Sequence, residues 1–106
     1  MEKYVVALVT APSTEVGEAI AHALLERRLA ACVNVTPSLT SVYNWHRELC
    51  TDEEVLLVIK TTRAALDEVI PVVRDLHPYD VPEIVALPIV AGSEDYLRWI
   101  DEVVRD

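Results

Sequence analysis

The pattern of apolar and polar positions divides the chain into seven predicted elements. Two short runs are apolar on both alternating faces and rich in β-branched residues, as in strands that are covered on both sides. Other segments repeat apolar residues every three to four positions, as amphipathic helices do. The predicted strands cover residues 4–10, 31–45 with an interruption at Pro37, 55–61 and 84–90, and the predicted helices include residues 16–27, 66–76 and 97–104.

Residues at the segment ends support these boundaries. Ser13 and Ser93 stand where a helix N-cap is expected, and Arg27-Arg28 is predicted to close the first helix with the charge that its C-terminus prefers. Pro71 falls inside the second helix, where it predicts a kink. Pro88 places part of the last strand at the edge of a sheet, because proline cannot donate a ladder hydrogen bond.

The element order β α β β α β α predicts a ferredoxin-like α/β (α+β) sandwich. Two strand-helix-strand units with right-handed crossovers, joined by a long hairpin, place both main helices on one face of an antiparallel sheet. We expect one domain over residues 1–106, with an extended hairpin between the second and third strands and a C-terminal helix. Tyr43 and Trp45 fall near the hairpin tip, where large aromatic side chains require cover from another part of the assembly.

Composition narrows the possible partners. The chain has 18 acidic and 9 basic residues, giving a formal net charge of −9, which disfavours binding to nucleic acid. The apolar runs are too short to cross a bilayer, so we expect no membrane partner. Cys32 and Cys50 follow no secretory signal, which predicts reduced thiols and a cytoplasmic location.

Nucleotide and hydrolase motifs are missing from the sequence. The only two glycines, Gly17 and Gly92, stand in no phosphate-cradling pattern. A hydrolase of the acylphosphatase type could use Asn34 and an arginine, but its glycine-bearing anion loop is absent after the first strand. We therefore expect no catalytic activity and no organic cofactor.

The potential metal ligands are scattered along the chain. They are His22, His46, His77, Cys32 and Cys50, and none form a close-spaced zinc signature. His22 lies on the polar side of the first helix, which favours a solvated imidazole. His46, Glu48 and Cys50 alternate with period two and could face one side of the hairpin, although coincidence explains this spacing better. A buried Cys32 is more often a small hydrophobic residue than a ligand.

The segment 77–83 gathers polar groups into a short loop that two prolines stiffen. It contains His77, Tyr79, Asp80 and Glu83, and fixed polar groups in a loop favour a function. In the structural alternative, His77 caps the second helix and Glu83 binds exposed backbone amides. The sequence supports both interpretations equally.

Several short blocks together give the chain a family resemblance. They are residues 30–34 with Pro37, then Ser41, Tyr43 and Trp45, residues 57–61, His77-Pro78-Tyr79, Pro82-Glu83-Ile84 and residues 96–100. In this order and spacing, they resemble the CutA divalent-cation tolerance proteins over nearly the whole chain. The resemblance implies a ferredoxin-like fold, a homotrimer assembled through the long hairpins and sheet edges, a mostly cytoplasmic location, and a link to copper and other divalent cations. It implies no established reaction.

The same resemblance assigns candidate roles to four residues. Cys32 and His77 match the family's suggested metal ligands, and Tyr79 and Glu83 match its polar intersubunit cluster. Some family members carry an additional thiol and an additional histidine where this chain has Val9 and Leu76. Arg47 replaces the usual hairpin glycine, and Asp80 replaces a loop glutamate.

Two functional hypotheses follow from the sequence. The first is a trimeric, non-catalytic protein that binds copper or another divalent cation through Cys32 and His77 near subunit clefts, because a thiolate with an imidazole suits copper or zinc. The alternative is a trimeric regulatory module resembling the PII signalling proteins, which would bind a small anionic ligand between subunits. Basic residues lining the cleft would favour this alternative.

Overall fold

The computed structural model describes residues 3–105, and its elements follow the predicted order. They are β1 (Tyr4–Ala11), α1 (Thr14–Glu26), β2 (Cys32–Trp45), β3 (Glu48–Thr62), α2 (Arg63–Leu76), β4 (Ile84–Pro88) and α3 (Glu94–Val103). The four strands form one antiparallel sheet in the order β2-β3-β1-β4. This arrangement confirms the predicted ferredoxin-like α+β sandwich.

Alternation along the strands places the core on one face of the sheet. In β1, Ala7 and Val9 are fully buried, and they pack in one cluster with Leu57 and Ile59 of β3. The apolar stripes of the helices cover this face; Ile20, Leu24, Val69, Val73 and Ile100 belong to the same cluster. The intervening strand residues point to the opposite face, which α1 and α2 leave uncovered.

Helix boundaries depend on capping side chains. Ser13 caps α1 as predicted, since its Oγ accepts a hydrogen bond from the Val16 amide at 3.2 Å. Ser93 stands at the N-cap of α3 but makes no side-chain cap bond. Of the two arginines predicted to close α1, Arg27 is its C-cap, directly after the last helical residue Glu26. Arg28 lies beyond the helix and has a positive φ of 57°.

The hairpin formed by β2 and β3 is longer than the apolar pattern indicates. β3 begins at Glu48 rather than at residue 55, and it pairs with β2 up to the tip. β2 continues past Pro37 as one strand, with a register shift between Thr36 and Leu39. A two-residue turn closes the hairpin at His46 and Arg47, both with positive φ.

The second half of the chain shows two effects of proline. α2 runs from Arg63 to Leu76 and passes through Pro71, so this residue does not end the helix. β4 lies at the sheet edge, as Pro88 predicts, but it ends at Pro88 rather than continuing to residue 90. Among residues 3–105, no helix is both long and apolar enough to span a membrane.

Candidate functional site

His77 ends α2 and is held inside the protein. It is the C-cap residue and is only 7% exposed. The Nε2 atom lies 2.7 Å from the carbonyl oxygen of Thr10, and the Tyr79 amide donates to Nδ1 at 3.2 Å. Because Nδ1 accepts a hydrogen bond, Nε2 carries the proton and donates to Thr10. His77 thus occupies the C-cap position through its backbone amide, which donates to Val73 O, while both ring nitrogens have partners outside the helix.

Tyr79 connects the loop after α2 to β3. Its ring centroid lies 4.7 Å from that of His77, and its hydroxyl donates to Oε2 of Glu54 at 3.0 Å. Burial, followed by this hydrogen bond, raises the pKa of Tyr79 to about 12. Glu54 is itself only 6% exposed. The loop and the base of the hairpin thus share a phenol-carboxylate contact.

A second phenol-carboxylate pair lies further along the hairpin. The Tyr43 hydroxyl of β2 donates to the carboxylate of Asp52 on β3. This hydrogen bond is the main cause that raises the pKa of Tyr43 to about 12. Both phenols are therefore held in their protonated form through the physiological pH range.

These groups border an open cleft, called here the hairpin cleft, with a volume of about 640 Å³. Its walls come from the hairpin, the end of β1 and the loop after α2. The lining residues are Thr10, Ser41, Val42, Tyr43, Trp45, Glu54, Pro78, Tyr79, Asp80, Val81 and Glu83. Three are aromatic and three are acidic, and none of these lining residues is Lys, Arg or His. The basic lining that an anionic ligand would favour is absent from this set.

The four residues singled out by family resemblance separate into two locations. Tyr79 and the exposed Glu83 both line the hairpin cleft, and His77 contacts Tyr79 beside it. Cys32 lies elsewhere, at the start of β2, where it pairs with Lys60 of β3.

Strand register shows how far Cys32 lies from His77 within one chain. His77 contacts Thr10, which pairs with Leu56 on β3, whereas Cys32 pairs with Lys60. These two positions on β3 are four residues apart, which corresponds to about 13 Å along the strand. The two candidate ligands therefore do not meet in one chain.

Other candidate ligands are also dispersed. His22 is exposed on α1, as expected, and both cysteines are free. His46 occupies the hairpin turn with φ 52° and contacts Trp45, so it does not continue the alternation of Glu48 and Cys50. Within residues 3–105, no three His, Cys, Asp or Glu side chains form a group able to hold a metal ion.

The surroundings of Cys32 differ from those of the cleft. Its thiol is half-buried and interacts with Tyr96 of α3; burial and then this interaction raise the pKa of Tyr96. Across the strands, the Lys60 ammonium donates to the side-chain oxygen of Asn34. Cys32 therefore lies in a small polar cluster at the start of the sheet, on the face that α1 and α2 leave uncovered.

Sequence reasoning missed Glu54 as a residue of the site. The predicted third strand began at residue 55, so Glu54 fell just outside the predicted elements. Alternation with the buried Val55 places Glu54 on the face opposite the core, where an exposed carboxylate is expected, yet the residue is only 6% exposed. Its partner Tyr79 is 25 positions away and could not be identified from spacing.

Comparison with known proteins gives consistent matches over nearly the whole chain. The family model described as CutA1 divalent ion tolerance protein matches residues 5–103. The Divalent-cation tolerance protein CutA of Thermus thermophilus is 55% identical over 97 residues, covering 92% of this chain and 94% of that protein. Human Protein CutA is 44% identical over 99 residues, covering 93% of this chain but only 55% of the human protein.

Solved structures agree with these sequence matches. The divalent cation tolerance protein (Cut A1) from Thermus thermophilus has a TM-score of 0.94 and 52% identity, covering 96% of this chain and 99% of that one. CutA1 from Oryza sativa has a TM-score of 0.95 and 42% identity, covering 99% and 96% of the two chains. The chain therefore belongs to the CutA1 divalent ion tolerance family.

Proposed function

We propose that this protein is a cytoplasmic homotrimer that binds divalent cations, copper or a similar ion, without catalysing a reaction. The observation that carries the proposal is the match of residues 5–103 to a family described by divalent ion tolerance. The net charge of −9 supports it, since an acidic surface concentrates cations. Names of relatives differ in compartment, from chloroplastic in Arabidopsis thaliana to periplasmic in Archaeoglobus fulgidus, so location is part of the proposal.

We assign the first ligands to Cys32 and His77, because a thiolate and an imidazole suit copper or zinc better than magnesium. Since these side chains are apart within one chain, the proposed site lies between copies of the chain. In the tautomer present, the only ring lone pair is on Nδ1 and accepts from the Tyr79 amide, so His77 must release that amide before it can bind a metal ion. Binding at His77 would therefore be accompanied by movement of the loop after α2.

A non-catalytic role agrees with the chemistry of the cleft. General acids and bases work best when their pKa lies near the operating pH. The two phenols that border the cleft, Tyr43 and Tyr79, have pKa values of about 12, far above neutrality. They are better suited to holding carboxylates in place than to transferring protons.

Calorimetric titration with copper(II) and with redox-inert zinc tests the proposed ligands. His77→Ala should weaken binding at least about tenfold, whereas His22→Ala on the exposed face of α1 should leave it unchanged. Cys32→Ser and Cys50→Ser provide a second matched pair, because both thiols are free and half-buried. Circular dichroism verifies that each variant is folded. Equal affinity in all variants would reduce cation binding to diffuse attraction by the acidic surface.

A further inference from the structure

Tyr79 is held at both ends by two different parts of the chain. Its backbone amide donates to Nδ1 of His77, at the end of α2, at 3.2 Å. Its hydroxyl donates to Oε2 of Glu54, on β3, at 3.0 Å. Because His77 is 7% exposed and Glu54 is 6% exposed, neither acceptor is free to follow Tyr79 if it moves. Both hydrogen bonds form within one chain, so they require no surface left open to solvent.

A ligand on the His77 ring excludes the Tyr79 amide, whichever ring nitrogen the ligand uses. In the tautomer present, the amide occupies the lone pair of Nδ1. If Nε2 held the ligand, the ring proton would lie on Nδ1, which could then no longer accept from the amide. Because a zinc–imidazole bond is about 2.1 Å long, the amide nitrogen, 3.2 Å from Nδ1, must leave the lone pair before an ion can occupy it. The backbone of Tyr79 therefore moves when His77 binds a cation.

This movement also reaches the phenol, because the short loop cannot absorb it. Pro78 separates His77 from Tyr79 and has a fixed φ, and Pro82 restricts the other side of the loop. The Tyr79 ring also packs against the imidazole, with the ring centroids 4.7 Å apart. The hydroxyl contact, at 3.0 Å, ceases to be a hydrogen bond once it lengthens by about 0.6 Å. Release of the Tyr79 amide therefore also releases Glu54.

We propose that His77, Tyr79 and Glu54 form a latch, called here the loop latch, that opens when His77 binds a cation. In the closed state, the Tyr79 hydroxyl ties the loop after α2 to β3. In the open state, the His77 lone pair is available and the Glu54 carboxylate has lost its phenol donor. The loop latch rests on the proposed binding of a cation at His77, and it transmits that binding to the base of the hairpin.

Calorimetric titration of the full chain with zinc tests the loop latch. Tyr79→Phe keeps the ring and the amide but removes the hydroxyl, which weakens the closed state, so zinc should bind about three- to tenfold more tightly. Tyr43→Phe is the matched control and should leave zinc affinity unchanged, because it removes a hydroxyl from the Tyr43–Asp52 pair within the hairpin. A purely structural role of Tyr79 predicts weaker binding. Unchanged or weaker binding in Tyr79→Phe would overturn the loop latch.

Amide hydrogen exchange followed by NMR gives a second readout. Zinc should speed exchange of the Tyr79 amide, because the amide loses its acceptor. The Ala65 amide, which Thr62 Oγ1 caps at the other end of α2 at 3.1 Å, should exchange at an unchanged rate. Slower exchange of the Tyr79 amide on zinc addition would contradict the loop latch. Neither this measurement nor the titration needs a variant of His77, so both hold even if His77→Ala does not fold.

A double-mutant cycle tests the loop latch without a cation. Since the contact with His77 positions the phenol, Tyr79→Phe should lower the urea midpoint more in the wild type than in the His77→Ala background. Tyr43→Phe should lower the midpoint equally in both backgrounds. Additive effects of Tyr79→Phe and His77→Ala would rule out the loop latch. A wild type that binds no zinc would instead refute the proposed function, and the cycle would then decide the coupling by itself.

Discussion

At the level of individual residues, His77 shows how one side chain can join distant segments. Its imidazole bridges the Thr10 carbonyl and the Tyr79 amide, so the end of β1, the end of α2 and the following loop are fixed together. The sequence left capping and a functional role equally open for His77, and the structure places it at the C-cap of α2. Sequence spacing could not identify Thr10, which is 67 positions away, because only the folded chain brings the two together.

The tyrosines provide a prediction about alkaline pH. All four have a pKa raised above the ordinary value of 10, with Tyr43 and Tyr79 near 12. The ultraviolet absorbance of phenolate should therefore rise at higher pH in the folded protein than in denaturant. Because the folded pKa is the higher one, the phenol contacts stabilise the fold fully below pH 10 and lose that effect as the pH rises toward about 12.

One variant distinguishes the charge of Glu54 from its hydrogen bond as causes of the raised pKa of Tyr79. Glu54→Gln removes the charge but keeps a hydrogen-bond acceptor, so the Tyr79 phenol should titrate earlier than in the wild type. Glu53→Gln, which lies beside it on β3, should leave the tyrosine titration unchanged. If the tyrosine titration curves of folded and unfolded protein coincided, the hydrogen bonds assigned to Tyr79 and Tyr43 would be ruled out.

Arg47 gives a prediction about backbone strain at the hairpin tip. Its φ of 68° lies in the left-handed region, where glycine is favoured and other residues are strained. Arg47→Gly should raise the free energy of unfolding by about 0.5–1 kcal/mol. Urea denaturation at one fixed protein concentration measures the difference.

Arg28 is the contrasting position for this experiment. It also has a positive φ of 57°, but its guanidinium donates to the carbonyls of Val103 at 3.1 Å and Glu102 at 3.5 Å. Arg28→Gly loses these contacts with the end of α3, so it should not gain the stability expected for Arg47→Gly. An equal gain in unfolding free energy for Arg28→Gly and Arg47→Gly would show that the Arg28 contacts to α3 contribute nothing to stability.

At the level of secondary-structure elements, the periodicity of apolar residues predicted the strand segments that are buried. It missed the segment that is held only by pairing with a neighbouring strand. β1 and the second half of β3 alternate against a packed core, so their apolar residues mark them clearly. The first part of β3, from Glu48 to Glu53, is exposed or half-buried and has no such pattern. It forms a strand because it pairs with β2 up to the turn, a non-local interaction that apolar spacing does not encode.

Packing of α1 on the sheet depends on Gly17. A Cβ atom there would lie 3.0 Å from Leu57 Cδ2, 3.3 Å from Val55 Cγ2 and 3.4 Å from Val35 Cγ1. Gly17→Ala gains helix propensity of about 1 kcal/mol, but overpacking a core costs about 1–3 kcal/mol. Since Leu57 is fully buried and cannot move aside freely, we expect a net loss of about 1 kcal/mol in unfolding free energy.

Gly92→Ala is the control for this substitution. Its nearest neighbours are atoms of Leu97 at 3.5 Å or more, an ordinary contact distance, and the position is exposed. Urea denaturation should show little change for Gly92→Ala and a lower midpoint for Gly17→Ala. A higher midpoint for Gly17→Ala would mean that α1 shifts to admit the methyl group.

At the level of the whole molecule, the uncovered face of the sheet carries an apolar surface that one chain does not bury. Leu8 of β1 pairs with Val58 of β3 and Val85 of β4, and all three alternate away from the core. Leu87 follows on β4 and is 54% exposed, and Val85 is 50% exposed. Apolar patterning along the chain does not show that these residues are neighbours; the strand register places them together on one face.

This surface gives a test of the proposed trimer. Light scattering coupled to size exclusion should report three chain masses for the wild type. Leu87→Glu places a charge on the uncovered face and should lower that mass without unfolding the chain, because Leu87 lies outside the buried core. Leu25→Glu is the matched control, since Leu25 is exposed on α1, on the opposite side of the sheet. A monomeric wild type, or an equal loss of mass in both variants, would rule out assembly through this face.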